Sequence, residues 1–172
     1  MIKKIFQVSF FLFLFTTVLN AQTAKTYFNK ALSRAEFGDF QGAIEDYGTC
    51  LKADPKYLDA YVNRGLLKQQ LNDNKGALLD FDMAVALDST YVRAYNSRGQ
   101  LLTVMKQYRE ALADLNKAIK LYPSYVNAII NRGLLKREIK DNNGACIDFN
   151  LASSLDPRSA RAKDLIRKNC SK

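Results

Sequence analysis

The chain has 172 residues, 48% of them hydrophobic, and carries 26 Lys and Arg against 17 Asp and Glu, a formal charge of +9. That length is the scale of one domain. There is no histidine, no serine in a Gly-x-Ser-x-Gly setting and no phosphate-binding glycine loop, so the usual general base, a major metal ligand and the commonest hydrolase and nucleotide signatures are missing, and neither catalysis nor a cofactor is expected.

Residues 1–21 read as an export signal. Lys3 and Lys4 form a short positive region, Ile5 to Leu19 is a Phe- and Leu-rich run, and Asn20-Ala21-Gln22 supplies a small residue for cleavage. Cleavage there starts the mature chain at Gln22 in a periplasmic or extracellular space. Leu19 is larger than the residue usual three positions before such a cut, which leaves an uncleaved amino-terminal anchor, and with it membrane contact, as the alternative. No cysteine stands at the cut, which argues against a lipid-modified terminus.

One phrase then recurs every 34 residues: Tyr61-Val62-Asn63-Arg64-Gly65, Tyr95-Asn96-Ser97-Arg98-Gly99 and Ile129-Ile130-Asn131-Arg132-Gly133. Twelve residues after each glycine stands an alanine (Ala77, Ala111, Ala145), and four further on a large apolar residue (Phe81, Leu115, Phe149). Ala31, Ala43 and Tyr47 continue the lattice backward. A fixed period of this size means stacked repeats, here 24–57, 58–91, 92–125 and 126–159. The glycines fall within helical patterns, where each costs about 1 kcal/mol relative to alanine; close approach of two helix backbones, small residue against small residue, is the expected offset. Asp54-Pro55, Asp88-Ser89, Pro123 and Asp156-Pro157 stop the helices, and turns around Gly38-Asp39, Asn72-Asp73-Asn74 and Asp141-Asn142-Asn143-Gly144 divide the repeats. Each repeat is therefore a helical hairpin. In residues 160–172, Ala162, Leu165, Ile166 and Cys170 share one face, as a solvating cap helix requires.

With these residues the chain resembles the tetratricopeptide repeat family over nearly all of its presumed mature length. The resemblance implies an all-α, right-handed α-solenoid of four helix-turn-helix units plus the carboxyl-terminal capping helix, with a concave groove lined mainly by the first helix of each unit. The family's aromatic at the start of the second helix is present as Phe40 and Tyr108 and replaced by Asn74 and Asn142; its aromatic near the repeat start is Tyr27, Tyr61 and Tyr95, replaced by Ile129. Carried over position by position, the groove falls on Phe28, Asn29 and Leu32; Val62, Asn63 and Leu66; Asn96 and Gln100; and Asn127, Ile130, Asn131 and Leu134. Leu66 and Leu134 fit an inter-helix core as well. The carboxylate clamp of some members is not expected, because Phe28, Val62 and Ile130 replace its first lysine and Leu32, Leu66 and Leu134 its asparagine. A groove of apolar side chains and amides suits an extended or helical protein segment. The implied function is a non-catalytic adaptor or scaffold binding such a segment; the alternative is a self-associating structural component of an envelope assembly.

Two further patterns follow the lattice. Lys30, Arg64, Arg98 and Arg132 hold one phase and Asp46, Asp80, Asp114 and Asp148 another, sixteen residues later each time; antiparallel helices bring them together as structural ion pairs, within a repeat or to its neighbour. Cys50 takes the place of Ala84, Ala118 and Ala152 and reads as a buried free thiol. Cys146, on the second helix of the last repeat, and Cys170, near the end of the cap, come level if the cap folds back. In an oxidising compartment they are expected to form a disulfide, two buried thiols being the alternative. Finally, residues 92–172 carry 16 basic and 7 acidic side chains while residues 22–91 carry 8 and 10. The basic half suits an acidic partner; nucleic acid is not expected, since no aromatic and basic residues interleave along a face.

Overall fold

The structure, a computed structural model, describes residues 20–170, so the export-signal reading of residues 1–21 lies outside the described residues except at its last two positions. Within them the chain is helix and turn. Helix α1 occupies 20–36, followed by α2 (Phe40–Ala53), α3 (Leu58–Gln70), α4 (Asn74–Leu87), α5 (Val92–Val104), α6 (Tyr108–Leu121), α7 (Val126–Glu138), α8 (Asn142–Leu155) and α9 (Ala160–Asn169). This is the all-α, paired-helix arrangement of a solenoid, ending in a capping helix. No helix among the described residues is long and apolar enough to cross a membrane.

Short side-chain rules set the boundaries. The hairpin turns all pass through a left-handed residue at one phase: Gly38 at φ 83°, Asn72 at 64°, Lys106 at 61° and Lys140 at 66°. Asp39, Asp73 and Asp141 then cap the second helices, each accepting at 2.9 Å from the backbone N–H three residues on, at Gly42, Gly76 and Gly144. An added Cβ at those glycines would lie 2.0–2.2 Å from the capping carboxylate. Between repeats, Asp54, Asp88 and Asp156 accept from the N–H groups of Lys56, Thr90 and Arg158, so three of the four stops read from the sequence are Asx turns, Tyr122 taking that phase at the Pro123 stop.

The chain divides into two compact units whose boundary falls within α4, after Asp80. In the first, Ala31, Ala43, Tyr47 and Cys50 are buried. Lys30 lies 3.2 Å from Asp46 Oδ1, and Arg34 Nε lies 3.2 Å from Oδ2 without the alignment of a hydrogen bond. Arg64 grips Asp80 with two hydrogen bonds, 2.5 and 2.9 Å, while Lys68 approaches the same carboxylate at 2.8 Å.

The second unit repeats this arrangement. Arg98 donates to both oxygens of Asp114 at 2.7 and 2.8 Å, and Arg132 to both of Asp148 at 2.9 and 2.6 Å. The hydrogen bond to Asp114 holds the half-buried Arg98 guanidinium above its ordinary pKa, against desolvation. All four ion pairs therefore close within a repeat. Both of these arginines also reach back to the preceding repeat, Arg98 to Asp82 at 2.7 Å and Arg132 to Asn116 at 2.9 Å. Arg64 and Arg98 lie over Tyr61 and Tyr95, each 5.7 Å from the ring centroid, and Ile129 removes that contact from the last repeat.

The expectation of small against small at the repeat glycines needs correction. A Cβ on Gly99 would meet Leu115 Cγ at 2.8 Å and only the carbonyl oxygen of Ala111, at 3.2 Å; on Gly133 it would meet the Phe149 ring at 2.5 Å. Each glycine makes room for the large residue sixteen positions on, one helical turn beyond the alanine. Cap helix α9 buries Ala162 and packs Leu165 against Ile129, Ile130 and Ala152. The Cys146 and Cys170 sulfurs stand at bonding distance, 2.08 Å, with their Cα atoms 5.6 Å apart.

Candidate functional site

A concavity lies in the second unit, where α5 and its following turn face α7. Its volume is about 300 Å³. From the first side come Gln100, Thr103 and Val104, with Lys106 and Tyr108 from the turn and the start of α6; from α7 come Asn131, Leu134, Arg137 and Glu138. The α7 residues fall at helical spacing and so share one face. Thr103 turns its hydroxyl back onto the Gly99 carbonyl at 2.8 Å.

Behind this cavity runs a buried polar chain. Asn131 donates to Asn96 at 2.9 Å, and Arg161 of α9 reaches the Asn131 carbonyl oxygen at 3.4 Å. Both asparagines are nearly inaccessible, so the pairing satisfies amides that would otherwise be costly to bury and fixes which edge of Asn131 meets the cavity. Positive charge borders the opening. Lys106 is exposed, and Arg137 stands beside its neighbour Glu138 at 3.4 Å. The lining thus combines the apolar Val104 and Leu134 with amide, hydroxyl and cationic groups and the carboxylate of Glu138.

This is where the third repeat departs from the others. Val104, 59% exposed, occupies the phase held by Glu36, Gln70 and Glu138; Gln100 occupies that of Leu32, Leu66 and Leu134. Leu102 is buried where Arg34, Lys68 and Lys136 complete the carboxylate pairs of the other repeats. Gln107 and Glu110 replace the capping aspartate and its glycine, and no side chain caps α6.

The positions carried over from the family resemblance separate by burial. Asn29, Leu32, Leu66, Gln100 and Asn127 are exposed, and Phe28, Asn63 and Leu134 are half-buried. Phe28 stacks on Tyr57, ring centroids 4.7 Å apart, with Tyr47 at 5.6 Å. Val62 and Ile130 are corrections: they are 0% and 1% exposed, and Ile130 packs with Ile129, Ala152 and Ala162. Their apolar character belongs to the core. Asn96 is buried behind the cavity, and Asn131, 5% exposed, joins it to the lining. Val104, Thr103, Lys106, Arg137 and Glu138 were not singled out from the sequence, nor was Arg161, and Tyr108 was read only as the family's aromatic at the start of a second helix. Val104 was legible as an apolar residue in a polar phase, and Arg161 as the next member of the Asp59, Arg93, Asn127 series.

Cys50 is buried and unpaired with another cysteine. Burial, reinforced by Asp54, pushes its thiol up to about 11, so it stays protonated and inert near neutral pH. Among the described residues no group of three or more His, Cys, Asp or Glu side chains could hold a metal ion.

Comparison with known proteins fits this geometry. The profile described as tetratricopeptide repeat matches residues 92–125, and a second profile of the same description matches residues 24–57. No curated protein matches. Among solved structures, MamA is similar with a TM-score of 0.71 and 26% identity, over 84% of this chain and 79% of that one. PilF of Pseudomonas aeruginosa aligns with a TM-score of 0.77 and 25% identity, over 87% and 70% of the two chains. The first repeat domain of Spaghetti (RPAP3), solved bound to the HSP90 peptide SRMEEVD, aligns with a TM-score of 0.66 and 25% identity, over 70% of this chain and 95% of that one. The lattice, the paired helices and these likenesses agree: the chain belongs to the tetratricopeptide-repeat family.

Proposed function

We propose that this protein is a non-catalytic adaptor that holds a segment of a partner protein against the first helices of its repeats, with the cavity between α5 and α7 as the main anchor point. The observation that carries this reading is Val104, a large apolar side chain left exposed beside a cavity of about 300 Å³, in a phase that is Glu or Gln in the other repeats. A single bulky apolar side chain of the partner fits there. Gln100 and Asn131 offer amide edges to its backbone. Lys106 and Arg137 favour acidic residues beside the anchor, which makes binding weaken as salt rises. The RPAP3 domain, similar in fold and solved with a peptide, supports peptide binding as the mode.

The reading includes export. The amino-terminal segment is a secretory signal, the mature protein works in the periplasm or outside the cell, and the Cys146–Cys170 bond forms there and staples the cap. Site-specific photo-crosslinking in the native host tests the adaptor role. Probes at Gln100 and Leu134 flank the cavity; Lys75, exposed on α4, is the control. A partner captured from both flanking sites, and lost on Val104→Glu, is the expected result. Capture that is equal from Lys75, or indifferent to Val104→Glu, would refute the cavity as anchor.

A further inference from the structure

The outward side of α8 carries a feature that the fold does not use. Ile147, Leu151 and Leu155 stay exposed at 67%, 39% and 41%. Spaced i, i+4, i+8, they form one ridge along the helix. The single charged side chain of α8, Asp148, is buried, and the residues flanking the ridge in solvent are Asn143, Asn150 and Ser154. In α6, Ala113 and Lys117 occupy the phases of Ile147 and Leu151, and Arg109, Lys117 and Lys120 are exposed. A chain of charge +9 thus keeps one second helix neutral and apolar outside.

We infer that this ridge is a contact with a second copy of the chain, α8 lying antiparallel on its counterpart across a twofold axis near Leu151. A twofold contact sets each residue against itself or its symmetry mate. Any charge near the axis therefore faces the same charge, and α8 avoids this where α6 does not. The ridge also reads alike from both ends: Leu151 meets Leu151, and Ile147 of one copy meets Leu155 of the other. Asn150, one residue from the axis, contains both donors and acceptors, so it can pair with its own symmetry mate. An acidic protein or an anionic lipid surface would instead be met by a face rich in lysine and arginine, as α6 offers. Leu79, Met83 and Leu87 form a similar ridge on α4, but there exposed Lys75 and Asp82 flank it, so it is the poorer self-contact.

Sedimentation equilibrium across the micromolar range, on the full chain as the expressing cell processes it, tests this. The wild type is expected to shift from monomer to dimer with concentration. Leu151→Glu sets like charges across the axis, and Ile147→Glu sets a charge against the apolar Leu155 of the other copy; each is expected to weaken the dimer by about tenfold or more, with unchanged helical circular dichroism. Ile147 is two-thirds exposed, so its replacement does not threaten folding. In a Cys50→Ala background, Leu151→Cys is expected to form a symmetric disulfide dimer on mild oxidation, and Thr49→Cys, in the same phase of α2, is not. A monomer throughout the range overturns the inference. So does a dimer that survives both glutamates, or one lost in Met83→Glu while persisting in Ile147→Glu, which would put the contact on α4.

Discussion

Replacing Gly133 and Gly48 by alanine separates helix propensity from packing, because both glycines lie within helices and the same methyl group enters different surroundings. Propensity alone favours either substitution by about 1 kcal/mol. At Gly48, in α2, the nearest atom to the new Cβ is the Arg64 Nη1 at 3.7 Å, an ordinary contact, so the full gain is expected. At Gly133, in α7, the Cβ would stand 2.5 Å from Phe149 Cε1, 2.8 Å from Cδ1 and 3.2 Å from the Asp148 Cβ. Phe149 is fully buried, and a close-packed interior resists displacement of its ring. Overpacking of this kind costs about 1–3 kcal/mol, which outweighs the propensity gain and leaves Gly133→Ala destabilising by about 1 kcal/mol. The gap between the two variants, about 2 kcal/mol, is the steric contribution alone, since propensity cancels. Urea unfolding followed by circular dichroism reads it as midpoints moving in opposite directions, with slopes compared because repeat arrays can lose cooperativity. Equal shifts of the same sign would refute the claim that these glycines exist to admit the large residue sixteen positions on.

Other consequences can be measured on the same protein. Asp148→Asn leaves Arg132 and Lys136 without their shared carboxylate at a site where Asp148 is 1% exposed; a loss of about 3 kcal/mol is expected in urea unfolding, and a loss within experimental error would show that the pairs are incidental. Cys170→Ser opens a link spanning 24 residues and is expected to lower stability by about 3 kcal/mol in protein purified from an oxidising compartment, with no effect after reduction. Lys140→Gly removes a side chain from a residue at φ 66°; relief of about 1 kcal/mol, partly offset by a freer unfolded chain, should raise the melting temperature slightly. Burial raises the Cys50 pKa to about 11 from 9.0, so the native state holds the proton more tightly than the unfolded one. The stabilisation is complete below pH 9 and declines as pH rises through about 11; Cys50→Ala should flatten that decline, and rapid native-state labelling of Cys50 at pH 8 would contradict it.

Sequence periodicity carried the fold because each repeat solves the same packing problem with the same residues. Gly99 and Gly133 admit Leu115 and Phe149, Arg98 and Arg132 bind Asp114 and Asp148, and Asp39, Asp73 and Asp141 cap their helices. A constraint met several times in one chain can be read without a structure. What periodicity could not supply was depth. Val62 and Ile130 share a phase with the half-buried Phe28, yet both lie in the core. Phase gives the side of a helix, whereas burial depends on what the neighbouring helix brings against it. The glycine contact was misread for a related reason: spacing identified the helix that approaches, but not which turn of it meets the glycine.

The candidate site was hardest to read because it lies where the lattice is broken. The third repeat gives up the aspartate cap, the glycine beneath it and the second cation on the buried carboxylate, replacing them with Gln107, Glu110 and Leu102. Those three positions act together elsewhere. In the last repeat Asp141 caps over Gly144, and Lys136 reaches both the Gly144 carbonyl at 3.4 Å and Asp148 at 2.9 Å. Losing one member removes the reason for the others, so their joint replacement is a single structural change. The α5–α6 turn keeps the backbone of the others, with Lys106 at φ 61°; what changes is the set of side chains around it, where Lys106 and Tyr108 line the cavity that Val104 borders. Restoring the framework with Leu102→Lys, Gln107→Asp and Glu110→Gly together is therefore expected to stabilise the hairpin by about 1 kcal/mol through the regained cap, while weakening capture of a partner at Gln100. A variant that gains stability and keeps capture unchanged would separate the broken lattice from the site.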